Sequence, residues 1–284
     1  MKLFDLVKQA LDEDLPGGDL TTDNLNLGER LGRARLVAKE DLVISGQEAF
    51  QMSFLHLDPE VKLHWPFKDG DFVLKSQTVA VLTGHLEALL KGERVALNFI
   101  GHLSGIASLT RCFVEQVKHT SCQILDTRKT TPLWRSLEKQ AVRHGRGHNH
   151  RLNLSEAVLV KDNHIAACGD LKTAVQKIRQ SFAGPIEVEC AELSQVEEAV
   201  ALNVDRILLD NMDNSTLEQA LALIPKRIQT EASGNMSLDR VRSVAELGVD
   251  FISVGALTHS APCADLSLEF EFAEGGKPQP GGSL

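Results

Sequence analysis

The sequence has no CxxC pair. Its five cysteines (Cys112, Cys122, Cys168, Cys190 and Cys263) are odd in number and irregularly spaced. That excludes the zinc ribbons and dithiol redox motifs that need paired thiols, and it reads as reduced thiols in a reducing compartment. No stretch approaches the roughly 20 apolar residues of a membrane span. The opening MKLFDLVKQALDEDLPGGD carries acids from Asp5 onward, with neither the apolar core nor the small-residue cleavage site of a signal peptide. A cytoplasmic location is the expectation. Basic residues are in deficit, 30 against 39 acidic, for a formal charge of -9. This opposes a general attraction to nucleic acid or anionic membranes and leaves small molecules, or further copies of the chain, as partners. GxGxxG is also missing after every candidate strand, which counts against a dinucleotide-binding domain.

What is present is an ordinary globular composition, 284 residues at 43% hydrophobic, enough for one large domain or two modest ones. Leu3, Leu6, Val7, Ala10 and Leu11 have helical spacing, and Pro16-Gly17-Gly18 ends that run. From Arg33 to about Leu86, the stretches ARLVAK, LVISG, KLHWPF, DFVLK and TVAVLTG are separated by Gly, Pro and Asp, which predicts a small, mainly antiparallel sheet. Residues 87 to 118 read as helical, with interruptions expected at Gly101 and Gly105.

Beyond them the pattern changes to short β-branched runs, each followed by a helical stretch: QILDT (123 to 127), AVLVK (157 to 161), IEVEC (186 to 190), RILLD (206 to 210), IQTEA (228 to 232) and FISVG (251 to 255). Six such units predict an α/β class with parallel strands, either a barrel or a doubly wound sheet. The Gly- and Pro-rich tail from Ala273 predicts disorder.

Parallel barrels build their sites from strand C-termini. Here those ends offer Arg128 and Lys129, then Lys161, Glu189, Asp210, Ser233 with Gly234, and Gly255. The small residues after the last two strands suit a phosphate cradle. Between Arg128 and Arg151 stand seven basic residues against one acid, Glu138, which implies an anionic substrate held by guanidinium forks. Glu189 and Asp210 end apolar strands, where an unpaired carboxylate is costly, and Mg2+ bridging them to a pyrophosphate would remove that cost. Taken singly, each strand-end Lys or Asp reads as a loop salt bridge; six ends together read as a site. Arg135, Lys139 and Arg143, at helical spacing, read as partly a solvated face and receive no role. His144, His148 and His150 suggest zinc, but Gly145 and Gly147 argue against the regular helix that reading needs. Lys161 is also open to a Schiff-base reading, as in a lysine-dependent aldolase or lyase. A catalytically silent protein that binds a phosphorylated ligand is the alternative from another class.

The segments PGGDLTT (16 to 22), ERVALNFIGHLSGIAS (93 to 108), DTRKTTP (126 to 132), NHR (149 to 151), KDNHI (161 to 165), LLDNM (208 to 212), EASGNM (231 to 236) and ISVGALTHSAP (252 to 262) occur in an order that resembles the quinolinate phosphoribosyltransferase family. The resemblance implies an N-terminal α/β open-faced sandwich over residues 1–108, completed by about 265–272. Residues 109–264 would form an incomplete seven-stranded α/β barrel, and 273–284 a tail. It also implies transfer of phosphoribosyl from phosphoribosyl pyrophosphate to quinolinate with decarboxylation, which gives nicotinate mononucleotide for NAD biosynthesis. By the matching motifs, Arg94, Arg128, His150, Arg151 and Lys161 would surround quinolinate. Lys129, Glu189, Asp210, Ser233, Gly234, Gly255 and His259 would surround phosphoribosyl pyrophosphate and Mg2+. Lys129, Lys161, Glu189 and Asp210 would be catalytic. The implied assembly is a homodimer, or a hexamer built as a trimer of dimers, with Arg94 crossing to a neighbour's site. Two positions depart from the family pattern: Leu133 follows TTP where a glycine is common, and His144-Gly145-Arg146-Gly147-His148 replaces a Gly-rich run.

Overall fold

The computed structural model describes residues 2–271, so the expected disordered tail lies outside the described residues. The chain divides into two compact units, one comprising the chain to Ser108 with the segment from Ala261, the other Leu109–Ser260.

In the first unit, α1 (Leu3–Asp14) and α2 (Leu20–Asn24) precede β1 (Leu31–Ala38), β2 (Leu42–Val43), α3 (Gln47–Leu55), β3 (Lys62–His64), β4 (Phe72–Val73) and β5 (Thr78–His85). Asp19 caps α2, accepting from the N–H groups of Thr21 and Thr22. The main sheet is antiparallel, in the order β12-β1-β5-β3, where β12 is the distant Leu266–Glu271. Opposite charges face each other across the β1–β12 pairing: Arg35 Nε lies 2.8 Å from Glu271, and Lys39 Nζ 2.5 Å from Glu269. One buried cluster joins Leu36 and Leu82 of the sheet to Phe50 and Phe54 of α3 and to Leu89, Ala96 and Ile100 of the next helix.

That helix, α4 (Leu86–Val117), is continuous over 32 residues, so the interruptions expected at Gly101 and Gly105 do not occur. Both glycines instead admit a neighbouring backbone. A Cβ on Gly105 would stand 1.9 Å from the Pro262 carbonyl oxygen, and the Gly101 carbonyl accepts from Ala264 N–H at 2.9 Å. Glycine's cost in a helix is about 1 kcal/mol, which such packing can offset.

The second unit alternates β6 (Gln123–Leu125), α5 (Arg135–His144), β7 (Val158–Val160), α6 (Asp162–Cys168), α7 (Leu171–Ser181), β8 (Ile186–Cys190), α8 (Leu193–Ala201), β9 (Arg206–Asp210), α9 (Asn214–Leu223), β10 (Gln229–Ser233), α10 (Leu238–Glu246), β11 (Phe251–Ser253) and the short α11 (Ala256–His259). The six expected strands all form, in one parallel sheet of order β6-β11-β10-β9-β8-β7. Beyond β6, a single parallel bridge from Leu125 to His148 extends the sheet at the place of a seventh strand, leaving a barrel-like sheet whose end strands do not pair. Strand periodicity explains the site: along β8, Glu187 and Glu189 share the face opposite Val188, and along β9 Arg206, Leu208 and Asp210 do the same. All five cysteines are free, and burial pushes the Cys122 and Cys190 thiols up to about 12. Among the described residues, no helix is long and apolar enough to cross a membrane.

Candidate active site

The strand ends of the second unit present three groupings. In the first, Lys161, just past β7, pairs through Nζ with the Glu189 carboxylate at the penultimate position of β8. Glu189 is therefore not the unpaired charge that the sequence argument for a metal assumed. Asp210, the last residue of β9, accepts from the side-chain amide of Asn211 at 2.7 Å.

In the second, Asn211 ties two turns together: its N–H donates to the Ser233 carbonyl at 2.9 Å, and its Oδ1 accepts from Asn235 at 3.1 Å. Gly234, at φ +89°, lies so close that a Cβ would meet Asn211 Oδ1 at 2.1 Å. Arg240 of α10 donates to the Gly234 carbonyl at 3.2 Å and to the Met212 carbonyl at 2.5 Å. Asn211 and Arg240 received no role from the sequence; Asn211 stood within the LLDNM motif, while Arg240 gave no signal. Lys129, Gly255 and His259 also converge. The Thr258 hydroxyl donates to the Lys129 carbonyl at 2.7 Å, and a Cβ on Gly255 would lie 3.1 Å from both Lys129 Cδ and His259 Nε2.

The third grouping is cationic and half-buried. Burial, and after it the Arg128 charge, hold the Arg151 guanidinium below its ordinary pKa, with only Glu187 opposing. Arg128 Nε is buried without a hydrogen-bond partner in the protein. Two guanidinium groups near enough to repel form a receptor for anionic charge. Arg94 is exposed on α4, in the other unit.

His150 points elsewhere than the metal reading of the histidines supposed. Its Nδ1 accepts from Arg151 N–H at 2.8 Å, so the ring proton sits on Nε2, which lies 3.3 Å from Glu187 and 3.5 Å from Glu231. Burial alone would lower the His150 pKa, but Glu187 and Glu231 raise it. Burial and the nearby Glu187 push the Glu231 carboxyl up to about 7. Donor atoms of His150, Glu187 and Glu231 lie within 4.8 Å of one another, close enough to hold a metal ion. Arg206 donates to Glu231 at 3.3 Å, while His150 Nε2 lies at ion-pair distance from both carboxylates without a hydrogen bond, so the cluster is a buried charge network. His144 and His148 are not part of it.

The basic run resolves residue by residue: Arg143 is exposed, Arg135 half-buried, and Lys139 wholly buried against Asp126. The expectation of a partly solvated face holds at Arg143, whereas Lys139 lies inside because α5 turns that side toward the end of β6. Leu133 (φ 70°), where the family commonly has glycine, and Arg146 (φ 68°), within the segment that replaces a Gly-rich run, keep left-handed backbones. Each is strained by about 1–2 kcal/mol relative to glycine. A cavity of ≈ 580 Å³ is lined by His150, Arg151 and Glu187 together with Val158, Ile186 and Arg206 from the strand beginnings.

Comparison with known proteins agrees over nearly the whole chain. The family profile for the quinolinate phosphoribosyl transferase N-terminal domain matches residues 19–104, and that for its C-terminal domain residues 106–269. A probable nicotinate-nucleotide pyrophosphorylase (carboxylating) from Synechocystis is 45% identical over 268 residues, covering 93% of this chain and 90% of the relative. One of the same description from Bacillus subtilis is 42% identical over 271 residues, covering 95% and 93%. The solved nicotinate-nucleotide pyrophosphorylase from Ehrlichia chaffeensis superposes with a TM-score of 0.92 at 40% identity, covering 95% of this chain and 99% of that one.

Proposed function

We propose, for a chain that belongs to the quinolinate phosphoribosyltransferase family, a division of the strand-end residues between two substrates. The reaction transfers a phosphoribosyl group from phosphoribosyl pyrophosphate to quinolinate, releases pyrophosphate and carbon dioxide, and yields nicotinate mononucleotide for NAD biosynthesis. The observation that carries the division is the buried Arg128 Nε without a hydrogen-bond partner beside the Arg151 guanidinium, whose charge burial and Arg128 destabilise against the opposing effect of Glu187. Quinolinate's two carboxylates supply the missing negative charge, and Arg94 of a neighbouring copy would complete their surroundings. Ser233, Gly234 and Gly255, with Lys129 and His259, would take the phosphate and pyrophosphate through main-chain N–H groups and point charges.

The chemistry follows from that placement. The pyridine nitrogen attacks the ribose anomeric carbon while pyrophosphate leaves with the electrons of the broken C–O bond. Lys129 and Lys161 would stabilise charge that builds on the departing oxygens. Once alkylated, the ring nitrogen is positive, so the C–C bond to the adjacent carboxylate can break toward the ring as carbon dioxide departs. The ring carbon then takes a proton.

Glu189 and Asp210 fit Mg2+ in chemistry, as hard oxygen donors on neighbouring strand ends, with Lys161 serving as the counter-ion to Glu189. Bound there, the ion would neutralise charge on the leaving pyrophosphate. A Schiff-base role for Lys161 is disfavoured: such a lysine is a desolvated free amine, whereas this one is 41% exposed and ion-paired. The oligomer is proposed to be a homodimer, or a trimer of such dimers, and the location cytoplasmic.

A pyrophosphate-release assay with quinolinate and then nicotinate tests the division. Nicotinate leaves one cation of the corner unpaired, at a cost of about 3–5 kcal/mol, so quinolinate should be the accepted substrate. Equal turnover of both would remove the assignment.

A further inference from the structure

We infer that the buried Asp126–Lys139 pair positions the acceptor half of the site, by clamping the strand end that carries Arg128 to the loop that carries His150 and Arg151. The inference rests on the reading of those three residues as ligands of the acceptor.

Asp126 is the first residue after β6 and is fully buried, as is Lys139 on α5. Besides Lys139, the Asp126 carboxylate accepts from Asn149 Nδ2 at 2.6 Å and from His150 N–H at 2.9 Å. Lys139 Nζ also donates to the His150 carbonyl at 2.9 Å, and Asn149 Nδ2 to the Lys139 carbonyl at 2.8 Å. Both main-chain polar groups of His150 are thus held by the two members of one ion pair. From there the orientation passes on: Arg151 N–H fixes the His150 ring, and Arg151 Nη1 donates to the Ala157 carbonyl at 2.7 Å. On the other side, α5 holds the β6 loop, through Glu138 accepting from Thr131 N–H at 3.1 Å and Arg135 Nε donating to Thr130 at 2.9 Å.

Stability is a poor explanation for the pair. Burial raises the Asp126 pKa and lowers that of Lys139, against their mutual attraction, so the site is costly for both charges. Apolar residues of similar volume often replace such a pair without loss of stability. They could not, however, hold the N–H and C=O of His150. A displaced His150–Arg151 loop would miss the acceptor, and errors of about 1 Å in a binding constellation cost on the order of 100-fold.

The test uses the full-length enzyme with Lys139→Met, Lys139→Arg, Asn149→Ala and the double variant Asp126→Leu/Lys139→Met. Thermal midpoints are measured together with KM for each substrate. We expect the double variant to melt near the parent while its quinolinate KM rises about 10- to 100-fold, with the phosphoribosyl pyrophosphate KM within about twofold. Asn149→Ala should show the same split in smaller measure, and Lys139→Arg should restore part of what Lys139→Met loses. A double variant with the parent's quinolinate KM overturns the proposal, and so does one that cannot fold, since the pair would then serve stability. A parallel rise of both KM values in Asn149→Ala also overturns it. Failure of the parent to use quinolinate at all would instead remove the reading of the three ligands.

Discussion

Replacing Gly234 with alanine should damage the phosphate side of the site far more than the same change at Gly255. At φ +89° an L-residue loses about 1–2 kcal/mol to backbone strain alone. The new Cβ would also stand 2.1 Å from Asn211 Oδ1 and 2.9 Å from Asn211 N. The side chain can swing aside, but the main-chain nitrogen is held by its 2.9 Å bond to the Ser233 carbonyl. Relief therefore has to move the residue next to Asp210, and overpacking of this kind costs about 1–3 kcal/mol. The sum, roughly 2–5 kcal/mol, corresponds to a fall in melting temperature of about 3–8 °C at this chain length. The displaced cradle should raise the KM for phosphoribosyl pyrophosphate on the order of 100-fold. Gly255 has an ordinary helical backbone, φ -64°, and its added Cβ would meet only side-chain atoms of Lys129 and His259 at 3.1 Å. There the melting temperature should shift by less than about 2 °C and the KM by less than about 10-fold. Thermal melts, with pyrophosphate release titrated against phosphoribosyl pyrophosphate at saturating quinolinate, measure both. A Gly234→Ala enzyme that matches the parent in both readouts, or a more damaged Gly255→Ala enzyme, would refute the reasoning.

Glu189→Ala and Asp210→Ala should each weaken the magnesium dependence of phosphoribosyl pyrophosphate use and leave metal-free quinolinate binding intact; unchanged magnesium titrations in both would move the metal elsewhere. Arg94→Ala and Lys161→Ala should each be inactive alone yet regain activity when mixed under subunit exchange, since one site of each hybrid dimer then holds both native residues. Hybrids confirmed by mass spectrometry but still inactive would rule out a shared site. Glu231, with its carboxyl pushed up to about 7 from an ordinary 4.5, keeps a proton in the folded state that the unfolded chain has already lost. Stability should therefore fall as pH rises from about 4.5 to 7, and raised His150 acts with the same sign as pH passes its folded value. In Glu231→Gln, melting curves across that range should show a shallower fall, and an unchanged slope would place the titration elsewhere.

Much of this protein is determined locally. The six parallel strands were legible because short β-branched runs bounded by turn signals have few other ways to bury themselves, and strand ends mark a barrel's rim wherever the sheet curves. That rule points to Lys161, Glu189 and Asp210 as candidates, and the motif resemblance adds Arg94, His150, Arg151 and His259. Other features depend on contacts far apart in the chain. The pairing of β1 with β12 joins residues more than two hundred positions apart, Arg33 with Glu271. Gly101 and Gly105 carry the local signal of a broken helix, yet α4 continues because the backbone at Pro262–Ala264 packs where side chains would stand. Lys139 shares its spacing with Arg135 and Arg143, and periodicity places all three on one stripe of α5. Only the docking of that helix against the end of β6 decides that the middle one is buried with Asp126 while Arg143 meets solvent. The meeting of His150, Glu187 and Glu231 is of the same kind: a sequence specifies which side chains share a strand face, but which faces close on one another is settled by how the sheet packs.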